Sequence, residues 1–210
     1  MIDVLIADDH AAVRAGLVLI CQGAEDIRVV GEAADGAAAV EAARRLRPDV
    51  VVMDIRMPRL DGISATERLS EVCDVLILTT YGTNGYLFAA MSAGAAGFLL
   101  KDTDADSLLD AIRTVARGDG LISPSVTRDL IREFGRRVPT TAEPDGLSNL
   151  TGREREVLVC LGKGMSNAEI AGHLNMADTT AKTHVSRVLN KLGLRSRVQA
   201  AIMARELRLT

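Results

Sequence analysis

The stretch Val50-Val51-Val52-Met53-Asp54-Ile55-Arg56-Met57-Pro58 decides how the first half of the chain folds. Four consecutive apolar residues without polar alternation suit a strand covered on both faces, the usual state of strands in a parallel sheet. An aspartate ends the run, and Pro58 marks a turn after it. Upstream, Asp35 is placed to cap a helix running to Leu46, with Pro48 just past its end. Ile2–Ala7 and Ile27–Ala33 read as strands, with a helix over Ala12–Cys21 between them that puts Val13, Leu17, Ile20 and Cys21 on one face. Downstream come a helix near Ile63–Ser70, a strand Val75–Thr79, a helix Gly85–Ala93, a strand Gly97–Leu100 and a helix Asp104–Arg117. Five β–α units within residues 1–118 predict an open, five-stranded parallel sheet with helices on both faces.

Polar residues fall at one edge of that sheet. Asp8 and Asp9 follow the first strand, Asp54 follows the third, Thr79 ends the fourth and Lys101 follows the fifth. The carboxyl edge of an open α/β sheet is where sites form, at the point where the strand order reverses. In the order 2-1-3-4-5, strands 1 and 3 are neighbours and three carboxylates converge. Such a cluster needs compensation. Magnesium accepts hard oxygen ligands and keeps room for phosphate oxygens. Lys101 adds a point charge and Thr79 a hydroxyl, so the set fits phosphoryl transfer onto a carboxylate, with Asp54 as acceptor and Asp8–Asp9 as the metal-facing pair. Singly, each residue has a plainer role as a cap, a turn residue or an exposed lysine; the joint pattern carries the reading.

Residues 119–147 read as a linker, with a short helix starting at Ser123-Pro124. From Leu150 the signals are purely helical. Thr151-Gly-Arg-Glu154 and Ser166-Asn-Ala-Glu169 match capping boxes, Asp178 is placed to cap a third helix, Gly193 to stop it, and a fourth runs from about Ser196 to Leu207. The third helix turns Ala181, Val185, Val188, Leu189 and Leu192 inward. Thr179, Lys182, Thr183, Ser186 and Asn190 form the opposite stripe, with Arg187 and Lys191 alongside. Two short helices across a tight turn, the second polar and basic outward, form a helix-turn-helix pattern, in which the second helix enters the major groove.

Charge divides the chain in the same way. Residues 1–120 hold 11 Lys+Arg and 19 Asp+Glu, a net of −8. Residues 148–210 hold 10 and 5, a net of +5, so the tail is the part that suits a polyanion. No apolar run is long enough for a membrane span. The first residues lack the basic start and cleavage site of a signal peptide. Cys21, Cys73 and Cys160 are odd in number and far apart, as free thiols in a reducing compartment are, and the expected location is cytoplasmic.

Residues 1–118 resemble the receiver domain of two-component response regulators, through Asp8-Asp9, Asp54 with Met57-Pro58 and Gly62, Thr79-Thr80, and Gly97-Phe98-Leu-Leu-Lys101. The runs Leu150–Leu158, Gly164–Ala171 and Thr180–Leu192 resemble the LuxR-type DNA-binding domain, and the whole resembles the NarL/FixJ class. The resemblance implies a flavodoxin-like receiver joined to an all-α four-helix domain at 148–210. It implies a sensor histidine kinase as the source of phosphate for Asp54. Magnesium would be held by Asp8, Asp9, Asp54 and the Arg56 backbone carbonyl. Thr79 and Phe98 form the implied switch pair, with Phe98 repacking inward on phosphorylation. Lys182, Thr183 and Ser186 would face bases of double-stranded DNA, and Arg187 and Lys191 would meet phosphates. A homodimer on paired half-sites is implied after phosphorylation, with the helix 1 and helix 5 faces as candidate dimer surfaces and RNA polymerase as a further partner. The Asp61-Gly62 turn is given a secondary role, in shaping the loop. Not being primarily an enzyme also follows: a haloacid-dehalogenase-like phosphatase carries a second Asp where this chain has Arg56. A ligand-sensing LuxR-type regulator is the other alternative; scarce aromatics, 2% of residues, disfavour it. No Gly-x-Gly-x-x-Gly follows the first strand, so a nucleotide-binding enzyme is weaker still.

Overall fold

The structure is a computed structural model that describes residues 1–70, 72–80, 84–119, 121–122, 146–194, 196–207 and 209. Its first half alternates β1 (Ile2–Ala7), α1 (Ala11–Gln22), β2 (Ile27–Ala33), α2 (Gly36–Leu46), β3 (Val50–Met53), α3 (Gly62–Leu69), β4 (Asp74–Thr79), α4 (Asn84–Ala93), β5 (Gly97–Leu100) and α5 (Ala105–Ala116). The strands lie in the order β2-β1-β3-β4-β5, all parallel as helical crossovers between successive strands require. The expected five strands are joined by a short sixth, β6 (Leu121–Ile122), which pairs parallel to β5 with Gly97 opposite Leu121 and Phe98 opposite Ile122. It falls in the stretch expected as linker, and its backbone covers the edge that β5 would otherwise expose. The short helix expected from Ser123 lies outside the described residues.

The sheet separates two apolar layers. Leu5, Val51, Met53 and Ile77 point to the α2–α3–α4 side, and Val4, Ile6, Val52 and Leu76 to the α1–α5 side. All four β3 residues are buried, which is why that run shows no alternation. Capping fixes where the helices begin. Asp35 accepts the Ala38 N–H, Asp61 the Ser64 N–H and Asp104 the Ser107 N–H, each cap contributing about 1 kcal/mol.

The second half opens with a short 3-10 turn, Leu147–Asn149, and continues as α6 (Gly152–Gly162), α7 (Asn167–His173), α8 (Asp178–Lys191) and α9 (Arg197–Glu206). Both capping boxes form, at Thr151 with Glu154 and at Ser166 with Glu169. Asp178 is not the cap expected of it: Ala177 takes the cap position without a side-chain bond, and Asp178 becomes the first helical residue. Its charge still favours the positive end of the helix. Gly193 follows α8 with φ of 63°, a conformation that glycine takes without penalty. Val157, Leu158, Leu161, Ile170, Ala181, Val185 and Val188 make a core separate from the two sheet layers. Ala181 is fully buried there. The three cysteines are free thiols.

Candidate functional site

The pocket grows from the register of three strands. Asp8 and Asp54 directly follow paired strands, since Ala7 of β1 lies opposite Met53 of β3, and the Asp54 N–H donates to the Ala7 carbonyl at 2.8 Å. The Lys101 N–H donates to the Thr79 carbonyl at 2.9 Å, which brings the end of β5 alongside that of β4. Lys101 Nζ then reaches Asp8 Oδ2 at 2.5 Å and Asp54 Oδ1 at 3.3 Å. Asp8 and Asp54 are 1% and 6% exposed, so this ammonium is a close countercharge for two carboxylates that have lost most of their water. Burial pushes the Asp54 carboxyl above the usual carboxylate range; Lys101 pulls it back, and Asp8 pushes it further up.

Asp9 is placed differently. It is exposed, and its Oδ1 lies 2.6 Å from His10 Nδ1. His10, which the sequence reading passed over, also donates its backbone N–H to Asp8 Oδ1 at 2.9 Å. Asp8, Asp9 and His10 bring ligand atoms within 4.8 Å of one another. Asp9, Asp54, Arg56 and Lys101 line one open groove, together with Thr80 and Tyr86. Hard oxygen donors around an ammonium form a set that suits a small divalent cation and a phosphoryl group. Thr79 is buried at the end of β4, while Thr80 is the threonine that reaches the groove.

One expectation changes. Phe98, expected to turn inward on phosphorylation, is already 1% exposed, in the apolar layer with Leu87, Ala90 and Met91. The α4 side of the sheet offers an aromatic ring more apolar contact than solvent does. Gly62 shapes the loop for a steric reason. A Cβ there would stand 1.9 Å from the Asp54 carbonyl oxygen, and the Gly62 N–H donates to the Ile55 carbonyl at 2.8 Å. The loop after Asp54 thus folds directly onto the backbone of that aspartate. A glycine eight residues after the aspartate was the available signal, and its steric reason shows only in three dimensions. On the next loop, Gly36 donates its N–H to the Leu60 carbonyl, and Asp35 pairs with Arg59.

On α8, Lys182, Thr183, Ser186 and Arg187 are exposed on one stripe, and Ala181, Val185 and Val188 are buried on the other. The Thr183 and Ser186 hydroxyls donate back to the Thr179 and Lys182 carbonyls at 2.9 and 3.1 Å. Lys191 has an internal engagement: its Nζ lies 2.7 Å from Glu154 Oε2, whose residue is 3% exposed, and 3.1 Å from the Asn149 carbonyl. That ammonium, with the Thr151 N–H, holds the Glu154 carboxyl down at about 2. A phosphate contact by Lys191 must therefore share or break this pair. His184 is half-buried, with Nδ1 enclosed, which suits packing more than contact with a ligand. No helix among the described residues is long and apolar enough to cross a membrane.

Residues 4–113 match the response regulator receiver domain family, and residues 148–204 match the bacterial regulatory proteins of the luxR family. The chain is 39% identical over 210 residues to the transcriptional regulatory protein LnrK of Bacillus subtilis (strain 168), covering 96% of each. It is 36% identical to the response regulator protein VraR of Staphylococcus aureus, covering 97% of this chain and 96% of that one. Among solved structures, the response regulator ChrA of a heme-sensing two-component system is 39% identical, with a TM-score of 0.54, covering 100% of this chain and 98% of that one.

Proposed function

Because the chain belongs to the response regulators that join a receiver domain to a LuxR-type DNA-binding domain, we propose that it is switched by phosphorylation of Asp54 and binds double-stranded DNA through α8. The observation that carries this reading is the single cluster of Asp8, Asp54 and Lys101 at the carboxyl edge of the sheet, in one chain with a helix-turn-helix.

The chemistry follows from the residues. An Asp54 carboxylate oxygen attacks the phosphorus of a phosphohistidine on a sensor kinase; the O–P bond forms as the P–N bond breaks, and the imidazole leaves with the electron pair. Asp8, Asp9, Asp54 and the Arg56 carbonyl would hold magnesium, whose charge offsets that of the phosphoryl oxygens when it is bound. Lys101, already within reach of Asp54, pairs with a phosphoryl oxygen of the product. Thr79 supplies a hydroxyl donor and, with Phe98, passes the change to α4 and β5. Slow hydrolysis of the acyl phosphate resets the protein, which is otherwise no enzyme.

The receiver occupies residues 1–118, the linker 119–147 and the DNA-binding domain 148–210 in this reading. Lys182, Thr183 and Ser186 read base edges in the major groove, while Arg187 meets phosphate and Lys191 does so when it leaves Glu154. Phosphorylation favours a homodimer on half-sites about one helical turn apart, and RNA polymerase is the downstream partner. The location is the cytoplasm, where sensor kinases present their phosphohistidine.

The test is acetyl phosphate plus magnesium, followed by intact-mass spectrometry. The wild-type chain gains one phosphoryl group and Asp54→Asn gains none while keeping its circular dichroism. Equal labelling of the two proteins overturns the assignment.

A further inference from the structure

We propose, resting on the reading above, that Arg14 of α1 is a positioning residue for the phosphorylation pocket: it grips the peptide between Asp8 and Asp9 and so keeps both carboxylates in place for magnesium, while Glu32 of β2 steadies its guanidinium.

The contacts begin at Asp8. Its N–H donates to the Ala33 carbonyl at 3.1 Å, its Oδ1 accepts the His10 N–H at 2.9 Å, and its Oδ2 meets Lys101. The remaining polar atom, the carbonyl oxygen, accepts a hydrogen bond from Arg14 Nη1 at 2.7 Å. Asp8 is thus held by β2, by the loop, by the end of β5 and by α1. Asp9 is exposed, and its carboxylate meets only the mobile-ended ring of its neighbour His10 among the described ion pairs. Where that carboxylate stands is set by its backbone. A peptide unit is planar and turns as a whole, so a guanidinium on the Asp8 carbonyl also fixes the direction in which Asp9 starts.

The strand register supplies the second anchor. Glu32 of β2 stands opposite Ile6 of β1, and Ile6 lies in the apolar layer under α1 and α5. The Glu32 carboxylate is therefore on the side of the sheet that α1 covers, and its Oε2 lies 3.5 Å from Arg14 Nε. The Arg14 side chain is 17% exposed and that of Glu32 50%. One guanidinium links the outer strand to the end of β1.

The choice of residue favours this role over simple packing. Arg14 Nε is buried with no hydrogen-bond partner, and a buried donor left so destabilises a fold. A methionine would fill the same space between α1 and β2 without that cost. What methionine lacks is a donor for the Asp8 carbonyl and a positive charge behind a pair of carboxylates. Groups that hold metal ligands in place from behind are worth about 10–100-fold in metal affinity. Arg14 acts through a backbone carbonyl, one bond further back, which places it at the lower end of that range.

The experiment uses the full chain and two readouts. One is magnesium binding by isothermal titration calorimetry without a phosphodonor. The other is the magnesium dependence of acetyl-phosphate labelling, followed by intact mass. Arg14→Met weakens magnesium binding about tenfold and raises the half-saturating magnesium for labelling by the same factor, while the rate at saturating magnesium stays within about twofold of wild type. Arg14→Lys, which keeps the charge and a donor, recovers part of the loss. Glu32→Gln moves the same way as Arg14→Met by a smaller factor. Arg113→Met controls for stability: it removes the pairs with Asp26 and Asp110, lowers the melting temperature and leaves both magnesium readouts unchanged. If Arg14→Met binds magnesium like wild type, or loses labelling rate at every magnesium concentration with no shift in half-saturation, Arg14 serves the fold alone and the proposal is overturned. Should Arg14→Met not fold, Arg14→Lys and Glu32→Gln decide, and wild-type magnesium constants in both overturn it. If wild type gains no phosphoryl group, the phosphorylation reading falls, while calorimetry still judges Arg14 on its own.

Discussion

The pocket at the sheet edge and the polar face of α8 carry charge in opposite ways. In the pocket, Asp8, Asp54 and Lys101 are mostly buried, and the one ammonium offsets part of the charge of two carboxylates at 2.5 and 3.3 Å. On α8, Lys182 and Arg187 are exposed, and the hydroxyls of Thr183 and Ser186 are satisfied by the helix's own carbonyls. The pocket is complete within one rigid sheet and suits a small, highly charged ligand. The helix face is exposed and basic, which suits a large polyanion, and its use depends on what stands in front of it. A geometry that belongs to one domain resists everything except local damage; one that spans two domains responds to every contact between them.

The contrast breaks most sharply at Gly62. Gly62→Ala places a methyl group 1.9 Å from the Asp54 carbonyl oxygen, a backbone atom that moves only with β3. Overpacking of this kind costs about 1–3 kcal/mol, and here it also displaces the acceptor carboxylate. We expect phosphorylation by acetyl phosphate to fall by two orders of magnitude or so, since small misplacements at a reacting centre cost about 100-fold. The control is Gly152→Ala at the start of α6, where nothing lies within 4 Å of the added carbon. That change leaves labelling untouched and the melting temperature equal or slightly higher. Equal labelling in both variants would mean that the loop after Asp54 tolerates displacement.

The same contrast explains what could be read from the amino acids. The strands Ile2–Ala7, Ile27–Ala33, Val50–Met53 and Gly97–Leu100 stand where apolar runs between turn residues put them, because burial on both faces leaves little choice of residue. Once the order is set, Asp8, Asp54 and Lys101 have to meet. The α8 stripe was legible for a related reason: a helix with one buried face fixes the other. Contacts between sequence-distant polar residues were not. Neither Lys191 nor Glu154 shows that it pairs 37 residues away, and Arg197 gives no sign of Asp119. Sixth-strand pairing at Leu121–Ile122 was equally silent, since two apolar residues among glycines and a proline have no period to read. The burial of Phe98 was not legible, because an aromatic ring at a strand end has two shelters to choose from.

Within the helical domain, the Lys191–Glu154 pair offers the next test. The folded Glu154 carboxyl lies near 2, against 4.5 ordinarily. A depressed acid stabilises the fold above its unfolded value, and that contribution disappears as pH falls from 4.5 through about 2. Glu154→Gln therefore lowers the melting temperature at neutral pH and flattens its dependence over that acid window. Lys191→Met acts on two quantities at once: it lowers the melting temperature by stranding Glu154 and, if Lys191 also meets phosphate, reduces the salt dependence of DNA binding by about one counterion. Lost stability with an unchanged salt slope assigns Lys191 to the fold alone. The same measurement on Lys182→Ala, on the exposed stripe of α8, gives the slope expected of a true DNA contact.

The smallest effect lies between the two regions, at Asp74. Burial raises its carboxyl to about 6, Lys182 on α8 pulls it down, and Asp49 pushes it up. For a raised acid the sign reverses. Its contribution to the fold is full below the ordinary 3.8 and is lost as pH rises through about 6, because the unfolded chain ionises first. Asp74→Asn removes that slope, so the variant gains on wild type as pH rises across the window, by about 1 kcal/mol once screening of a partly exposed carboxylate is allowed for. Lys182 ties this titration to the position of α8. In a chain whose helical domain has been drawn away by duplex DNA, Asp74 loses part of the burial that raises its carboxyl as well as the Lys182 charge that lowers it, and because burial is the larger cause its titration moves down toward the ordinary range. Following the Asp74 carboxyl carbon by NMR with and without duplex reads that shift directly. A titration unmoved by DNA would return the two regions to independence.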